Sequence, residues 1–153
     1  MKALYAGSFD PFTIGHLYIV REALCVFDSL VIGIGINEGK KPMWPVEKRV
    51  EAIKSLFIDN TRVKVESYEG VTAEFAMKCG ASVLVRGVRN NLDFEKEKEL
   101  ADINRKVFEI PTVFIPTSPD LSFVSSSMVR ELIHFGQNPE KFIAGDFKLP
   151  INK

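Results

Sequence analysis

Ten residues near the amino terminus, Gly7-Ser8-Phe9-Asp10-Pro11-Phe12-Thr13-Ile14-Gly15-His16, combine residue types suited to holding phosphate. Gly7 permits a sharp exit from a preceding strand and a close approach of ligand to backbone. Gly15 and His16 are expected to open a helix, whose free N–H groups and dipole attract anions. A histidine at that point can donate a ring N–H to a phosphate oxygen without obstructing it. An isolated Thr-x-Gly-His is as well read as a turn with an ordinary histidine. The whole string after a first strand points to chemistry.

Further cations stand at intervals along the chain. Lys40, Arg86 and Arg89 follow apolar runs, and Ser125-Ser126-Ser127 precede a helical stretch. Groups of this kind suit transfer between phosphates, which needs alignment and stabilisation of spread charge and no protein nucleophile. Each has a plainer role. Lys40 lies in a lysine-rich loop open to solvent. The three serines form a helix cap, without a capping box, because the residues three after Ser126 and Ser127 are Val129 and Arg130. Arg86 is harder to assign to the surface, since it directly follows four apolar strand residues. His134 has no motif around it and reads as a surface histidine.

The elements that must position these residues alternate between strand and helix. Strands are expected at Lys2 to Ala6, Ser29 to Ile36, Arg62 to Ser67, Ser82 to Val85 and Thr112 to Ile115. Helices are expected at His16 to Phe27, Pro45 to Phe57, Thr72 to Cys79, Leu92 to Val107 and Ser127 to Phe135, with one more turn at Pro139 to Ile143. Gly80 reads as a helix stop. Alternation of this kind predicts an α/β fold: a Rossmann-like, doubly wound, parallel five-stranded sheet with right-handed crossovers and helices on both faces. Ligands of such sheets bind beyond the carboxyl ends of the strands, at the switch in strand order. The unusual residues fall in those loops, so pattern and fold rule converge on one pocket.

Bulk composition narrows the classes. The 153 residues fit one domain, 1–153, without repeat, low-complexity segment or linker. Hydrophobic residues make up 46% and suffice for a core without disulfide or structural metal. Twenty basic residues balance twenty acidic ones, which argues against nonspecific nucleic-acid binding. No zinc spacing surrounds Cys25 or Cys79, which read as two buried thiols in a reducing compartment. No apolar run reaches membrane-spanning length and no signal peptide is legible, so a cytoplasmic location is expected.

The motifs together resemble a known family. GSFDPFTIGH resembles the T/HxGH signature of the nucleotidylyltransferase superfamily. Lys40-Lys41-Pro42-Met43, Val85-Arg86-Gly87-Val88-Arg89, Asp93-Phe94-Glu95 with Glu97, Asn104-Arg105, Pro116-Thr117-Ser118 and Ser122-Phe123-Val124-Ser125-Ser126-Ser127 resemble, in order and spacing, segments of the phosphopantetheine adenylyltransferases. The resemblance implies transfer of AMP from ATP to 4′-phosphopantetheine, giving dephospho-coenzyme A and pyrophosphate. It implies Mg2+ with ATP, a homohexamer, inhibition by coenzyme A, and no nucleic-acid or membrane partner. It nominates His16, Lys40 and Arg86 for catalysis, and Ser8, Lys40, Thr72 and Arg86 for the acceptor. For ATP it nominates Ser8, Phe9, His16, Gly87, Val88, Arg89, Glu97, Leu121, Ser122, Phe123, Val124, Ser125, Ser126 and Ser127. Within this scheme Lys40 and His16 reach the α-phosphate and Arg89 the outer phosphates. Thr72 and Glu97 rest on the resemblance alone.

Departures from the family pattern exist. Ser8 replaces a usual Thr and keeps the hydroxyl, Ile14 replaces a common Asn, Trp44 a usual Phe, and Leu121 an aromatic or polar residue. The tail is short and ends FKLPINK without a long final helix, which leaves its packing open. Two other readings stand beside the first. A cytidylyltransferase acting on glycerol 3-phosphate would carry an RTEGISTS-like segment where this chain has SFVSSSMVR. A nonenzymatic, flavodoxin-like nucleotide-binding module would not require His16, Lys40, Arg86 and Arg89 to converge.

Overall fold

The structure is a computed structural model that describes residues 1–150; the end of the expected domain and tail, 151–153, lies outside the described residues. Five parallel strands form the sheet: β1 (Lys2–Gly7), β2 (Ser29–Gly35), β3 (Val63–Tyr68), β4 (Val83–Val88) and β5 (Thr112–Pro116), in the order β3-β2-β1-β4-β5. The helices are α1 (Ile14–Val26), α2 (Val46–Leu56), α3 (Thr72–Lys78), α4 (Asn91–Phe108) and α5 (Ser126–His134). The chain builds outward from β1 to β3, returns to β4 on the other side of β1, and so creates its switch point between β1 and β4.

The central strand explains why the sheet is covered on both faces. Successive side chains of β1 alternate sides. Ala3 and Tyr5 enter one core with Ile19, Val20 and Ala23 of α1, Ala52 and Ile53 of α2, and Val129 and Ile133 of α5. Leu4 and Ala6 enter the other core with Ala73, Phe75 and Ala76 of α3. Both faces of β1 are therefore apolar, which is why this strand and β2 read as unbroken hydrophobic runs.

Several boundaries differ from the sequence expectation. α1 begins at Ile14 and not His16, because Thr13 caps it. β4 continues to Val88, so Arg86 lies inside the strand and not after it. The reason is pairing: Arg86, Gly87 and Val88 still match Phe114, Ile115 and Pro116 on β5. On the other side, β1 pairs with β4 only from Ala3–Val83 to Tyr5–Val85. The two strands thus part at the carboxyl end, and the gap opens the site. A short 3-10 turn at Pro119–Leu121 has no periodic signal in sequence. The turn expected near the end is observed at Glu140–Phe142. Cys25 is exposed and Cys79 only partly covered, which corrects the expectation of two buried thiols; Cys25 sits one residue before the end of α1, on its outer side. His134 is exposed, as expected.

The tail is anchored without a final helix. The Ala144 N–H donates to the Phe12 carbonyl at 3.0 Å, and Thr13 and Ile143 form an antiparallel bridge. Phe147 meets the Trp44 ring edge to face with centroids 5.5 Å apart, and the Trp44 indole N–H donates to the Lys148 carbonyl at 2.9 Å. Trp44 is buried at 6% exposure, so its indole has a partner, as a buried Trp requires.

Candidate active site

The first loop is shaped by packing before it does any chemistry. Phe9 holds a left-handed backbone, φ 47°, unfavourable for a bulky residue, and is 2% exposed. Its ring lies edge-on to His16 (5.0 Å) and to Tyr5 (5.2 Å). A side chain on Gly7 would strike that ring at 3.0 Å. The Asp10–Pro11 peptide is cis. Asp10 is 7% exposed, and its two carboxylate oxygens accept the N–H groups of Met43 (2.8 Å) and Trp44 (2.9 Å). Arg49, also buried, donates to the Ser8 carbonyl at 2.6 Å and to the Trp44 carbonyl at 2.9 Å. Arg130 of α5 donates to the Asp10 carbonyl at 2.6 Å. Three charged residues thus tie the first loop to the loop at 37–44 and to α5.

His16 is held by the cap of its own helix. The Thr13 hydroxyl accepts the His16 backbone N–H at 3.3 Å, and the Thr13 backbone N–H donates to His16 Nδ1 at 3.0 Å. This is a capping box in which histidine fills the place usually held by Glu or Gln. Burial first, then the charges of Arg86 and Arg89, push its pKa down to about 3. The neutral imidazole with its proton on Nε2 is therefore the form at neutral pH.

Arg86 is fixed in a fork. Its Nε and one terminal nitrogen donate to the two carboxylate oxygens of Glu97 on α4, at 2.6 and 2.7 Å. The other terminal nitrogen donates to the Ala6 carbonyl. Three of the five guanidinium N–H groups are used, and Arg86 lines both cavities of the site. Burial opposes its charge, but the Glu97 hydrogen bond and charge outweigh that, and its pKa is raised. Arg89 is paired likewise with Asp93 at 2.8 Å, and that bond lowers the Asp93 pKa.

These groups line two adjoining cavities. The first holds Tyr5, Ser8, Phe9, His16, Arg86, Gly87, Arg89, Asp93, Glu97, Thr117, Val124, Ser125 and Ser126, among others. Gly87 is needed there because any Cβ would meet Ile19 at 2.8 Å. Ser125 caps α5 by accepting the Met128 N–H at 3.0 Å. The first-turn N–H groups of Ser126 and Ser127 have no acceptor within the helix, the arrangement by which helix starts can bind anions. The Ser126 hydroxyl donates to the Pro11 carbonyl at 2.7 Å, which docks α5 on the first loop. The second cavity is lined by Ala6, Gly7, Ser8, Gly35, Asn37, Gly39, Tyr68, Thr72 and Arg86, among others. Both cavities share Ala6, Gly7, Ser8 and Arg86, so they meet over the ends of β1 and β4.

The structure brings together His16, Arg86, Ser8, Phe9, Gly87, Arg89, Glu97, Val124, Ser125 and Ser126 at the first cavity, and Thr72 with Ser8 and Arg86 at the second. Lys40 is exposed in the loop beside the second cavity and lines neither. Val88, Leu121, Ser122, Phe123 and Ser127 also stand outside both linings. Phe123 is 59% exposed and packs on Phe142, with centroids 5.6 Å apart. Sequence reasoning missed Asp10, Arg49, Arg130, Asp93 and Tyr68. Asp10 lies within the Gly7–His16 string, and a carboxylate six residues before the expected helix start at His16 is its one signal. Asp93 is four residues from Arg89 and belongs to a motif named above, whereas Arg49 and Arg130 reach first-loop carbonyls 41 and 120 positions away and leave no local signal.

A divalent cation would have to be held without a dedicated carboxylate cluster among the described residues. Both carboxylates of the first cavity are engaged by arginines, and no cluster of three acidic, His or Cys residues exists among the described residues. No helix among the described residues is long and apolar enough to cross a membrane.

Comparison with known proteins places the chain in a family. The chain matches the Cytidylyltransferase-like family over residues 4–132. It is 49% identical to the phosphopantetheine adenylyltransferase of Phocaeicola vulgatus over 148 residues, covering 97% of this chain and 98% of that protein. It is also 49% identical to the phosphopantetheine adenylyltransferase of Bacteroides thetaiotaomicron, covering 93% and 94% of the two. Among solved structures it resembles a bifunctional NMN adenylyltransferase/ADP ribose pyrophosphatase from Francisella tularensis, with TM-score 0.72 and 14% identity. That match covers 95% of this chain and 45% of the longer one, and shows the fold.

Proposed function

Because this chain belongs to the Cytidylyltransferase-like family and, within it, to the phosphopantetheine adenylyltransferases, we propose that it transfers AMP from ATP to 4′-phosphopantetheine, giving dephospho-coenzyme A and pyrophosphate. The observation that carries the reading is the pair of cavities meeting at Ser8 and Arg86. One serves ATP and the other the acceptor, with the reacting phosphates at their junction. The acceptor cavity runs from Arg86 on β4 to Tyr68 on β3, across the ends of β1 and β2. Three strand spacings make that span roughly 14 Å. An elongated acceptor fits it, and a short one such as glycerol 3-phosphate does not fill it.

The reaction is an in-line displacement. An oxygen of the acceptor phosphate forms a bond to the α-phosphorus, the bond from that phosphorus to the bridging β-phosphate oxygen breaks, and pyrophosphate leaves. The attacking oxygen is already anionic, so no general base is required. His16 donates Nε2–H to an α-phosphate oxygen as charge shifts there. Arg86, oriented by Glu97, holds the acceptor phosphate beside it. Lys40 closes over the junction from its loop, and Arg89 with the Ser125 to Ser127 amides takes the outer phosphates. Ser8, Phe9, Gly87 and Glu97 border the nucleotide, together with Val88, Leu121, Ser122, Phe123 and Val124 on its outer side. Mg2+ would accompany ATP and would be held mainly by its phosphates and water, neutralising charge on them.

The remaining assignments belong to the same proposal. Coenzyme A, which unites both substrate halves, would occupy both cavities and inhibit. On α4, Leu92, Leu100, Ile103 and Val107 are each more than half exposed, and they fall on one stripe of a helix with no fully buried residue. That exposed stripe supports self-association, for which we propose the homohexamer. Free thiols support a reducing, cytoplasmic setting, and the balance of 20 basic and 20 acidic residues supports a protein without a nucleic-acid partner. Pyrophosphate release tests the function: ATP with phosphopantetheine is turned over, and CTP with glycerol 3-phosphate is not. The reverse preference would replace this reading with the cytidylyl one.

A further inference from the structure

Tyr5 is the last residue of β1 that pairs with β4, opposite Val85, so it stands where the two strands part and the first cavity opens. Its ring packs as a core residue, 5% exposed, with the Phe9 ring edge-on at 5.2 Å and the His16 ring at 6.3 Å. A phenylalanine would fill the same space. The other buried side chains of β1, those of Ala3, Leu4 and Ala6, carry no polar atom. The Tyr5 hydroxyl is thus the one polar group that the buried part of this strand brings to the site.

That hydroxyl has no hydrogen-bond partner among the described residues. Arg86 donates to Glu97 and to the Ala6 carbonyl, and His16 Nδ1 is held by Thr13. Nor is the hydroxyl sealed in: among the described residues, the sealed side-chain oxygen without a partner is Thr112 Oγ1. The phenol oxygen therefore reaches open space, and the space beside Tyr5 is the first cavity. A hydroxyl in an apolar core is costly unless something receives its hydrogen. Burial pushes the phenol well above its usual pKa, Arg86 pulls against that and Glu97 adds to it, so the hydroxyl remains a donor at neutral pH. Arg86, Arg89 and the neutral imidazole of His16 present donors to the same cavity, while Asp93 and Glu97 are occupied by the two arginines. A wall of donors calls for an anionic acceptor.

Resting on the proposed function, we infer that Tyr5 is a further residue of the transfer site, whose hydroxyl donates a hydrogen bond to a non-bridging oxygen of the α-phosphate beside the bond given by His16. One ring sets both donors, because Phe9 meets the imidazole edge-on at 5.0 Å and the phenol at 5.2 Å. The bond strengthens as charge spreads over the α-phosphate oxygens during displacement, so Tyr5 acts on turnover more than on binding.

The test compares wild type with Tyr5→Phe, which removes the oxygen and keeps the ring. Without ligand the variant should melt no lower than wild type, because the hydroxyl has no partner in the protein to lose. With ATP and phosphopantetheine its kcat should fall roughly 10-fold, with the acceptor KM unchanged. The two diastereomers of ATP bearing sulfur on the α-phosphorus locate the bond, since sulfur is a poor hydrogen-bond acceptor. Wild type should be slowed by at least one of them, and Tyr5→Phe should be slowed less by that one. A variant kcat within about twofold of wild type overturns the inference. So does a lower kcat with the wild-type preference for oxygen over sulfur, or a lower melting point without ligand, which would give the hydroxyl a partner inside the fold. If the wild type transfers AMP to another phosphate acceptor and not to phosphopantetheine, the acceptor reading alone fails, and the same comparison is made with that acceptor. If it transfers no AMP, the functional reading fails and this inference with it.

Discussion

His16 Nδ1 accepts the backbone N–H of Thr13 at 3.0 Å, and that bond decides which nitrogen of the imidazole carries the proton. An amide N–H can only donate, so Nδ1 is bare and Nε2–H is the remaining donor. The helix cap and the chemical group are one device.

Removing that donor should therefore be costly while removing its basicity should not matter. We predict that His16→Ala lowers kcat by about 10²–10³ with a smaller change in the KM for ATP. His16→Asn, which keeps an N–H donor, should retain part of the activity. A folded His16→Ala enzyme with wild-type kcat would remove His16 from the mechanism.

The same burial gives a pH signature. Unfolded, the imidazole titrates near 6.5. In the native protein it is held at about 3. Between those values the unfolded chain binds a proton that the native state does not. Stability should thus fall as pH drops from about 6.5 toward about 3, and be indifferent to His16 above that window. The thermal midpoint of wild type minus that of His16→Asn, followed across the window, isolates this slope. A difference that does not change with pH would contradict it.

Arg86 and Glu97 should behave as a unit. Arg86→Ala should cost roughly 2–5 kcal/mol in kcat/KM, with Lys40→Ala at the lower end because Lys40 is exposed. Glu97→Gln keeps the shape and loses the charge that orients the fork, so it should raise the acceptor KM while sparing Arg86 itself. Adding Glu97→Gln to Arg86→Ala should then cost little more. Fully additive losses would show that Glu97 acts on its own.

At α5 the conformation should matter more than the side chain. Ser126→Pro deletes an N–H from the anion site and should weaken ATP binding more than Ser126→Ala. The alanine variant should lose about 1 kcal/mol of stability with the bond to the Pro11 carbonyl. Isothermal titration with ATP separates the two; equal and mild effects on affinity would contradict the anion site.

Asp10→Asn tests the scaffold. One amide oxygen can replace one of two carboxylate acceptors, and the new NH2 faces the other backbone N–H. The change should cost about 1–3 kcal/mol and loosen the loop that bears Lys40. Unchanged thermal stability together with an unchanged acceptor KM would show that the clamp is dispensable.

The sequence made the sheet, its helices and the loops of the site legible, because buried strands and amphipathic helices leave periodic traces. It marked His16 through the Gly7–His16 string at a helix start, and Arg86 because a charge beside an apolar run is conspicuous. It could not reveal that Glu97 meets Arg86 across 11 positions, or that Asp10 reaches Met43 and Trp44. Such pairings depend on how strands and loops face one another in space. The Thr13–His16 box was locally encoded, but histidine is not the residue that signature is known by. Arg86 was set after its strand because its charge ended the apolar run, whereas β5 continues the pairing past it. Lys40 was placed at the junction by its motif, yet its loop leaves it in solvent.

The central claim is that the α-phosphorus of ATP moves to a phosphate acceptor. ATP radiolabelled at the α-phosphorus, incubated with 4′-phosphopantetheine and resolved by chromatography, tests it most directly. The account predicts label in dephospho-coenzyme A, in one-to-one yield with unlabelled pyrophosphate. Label left in ADP or free AMP, or an acceptor labelled only from the γ-position, would contradict it.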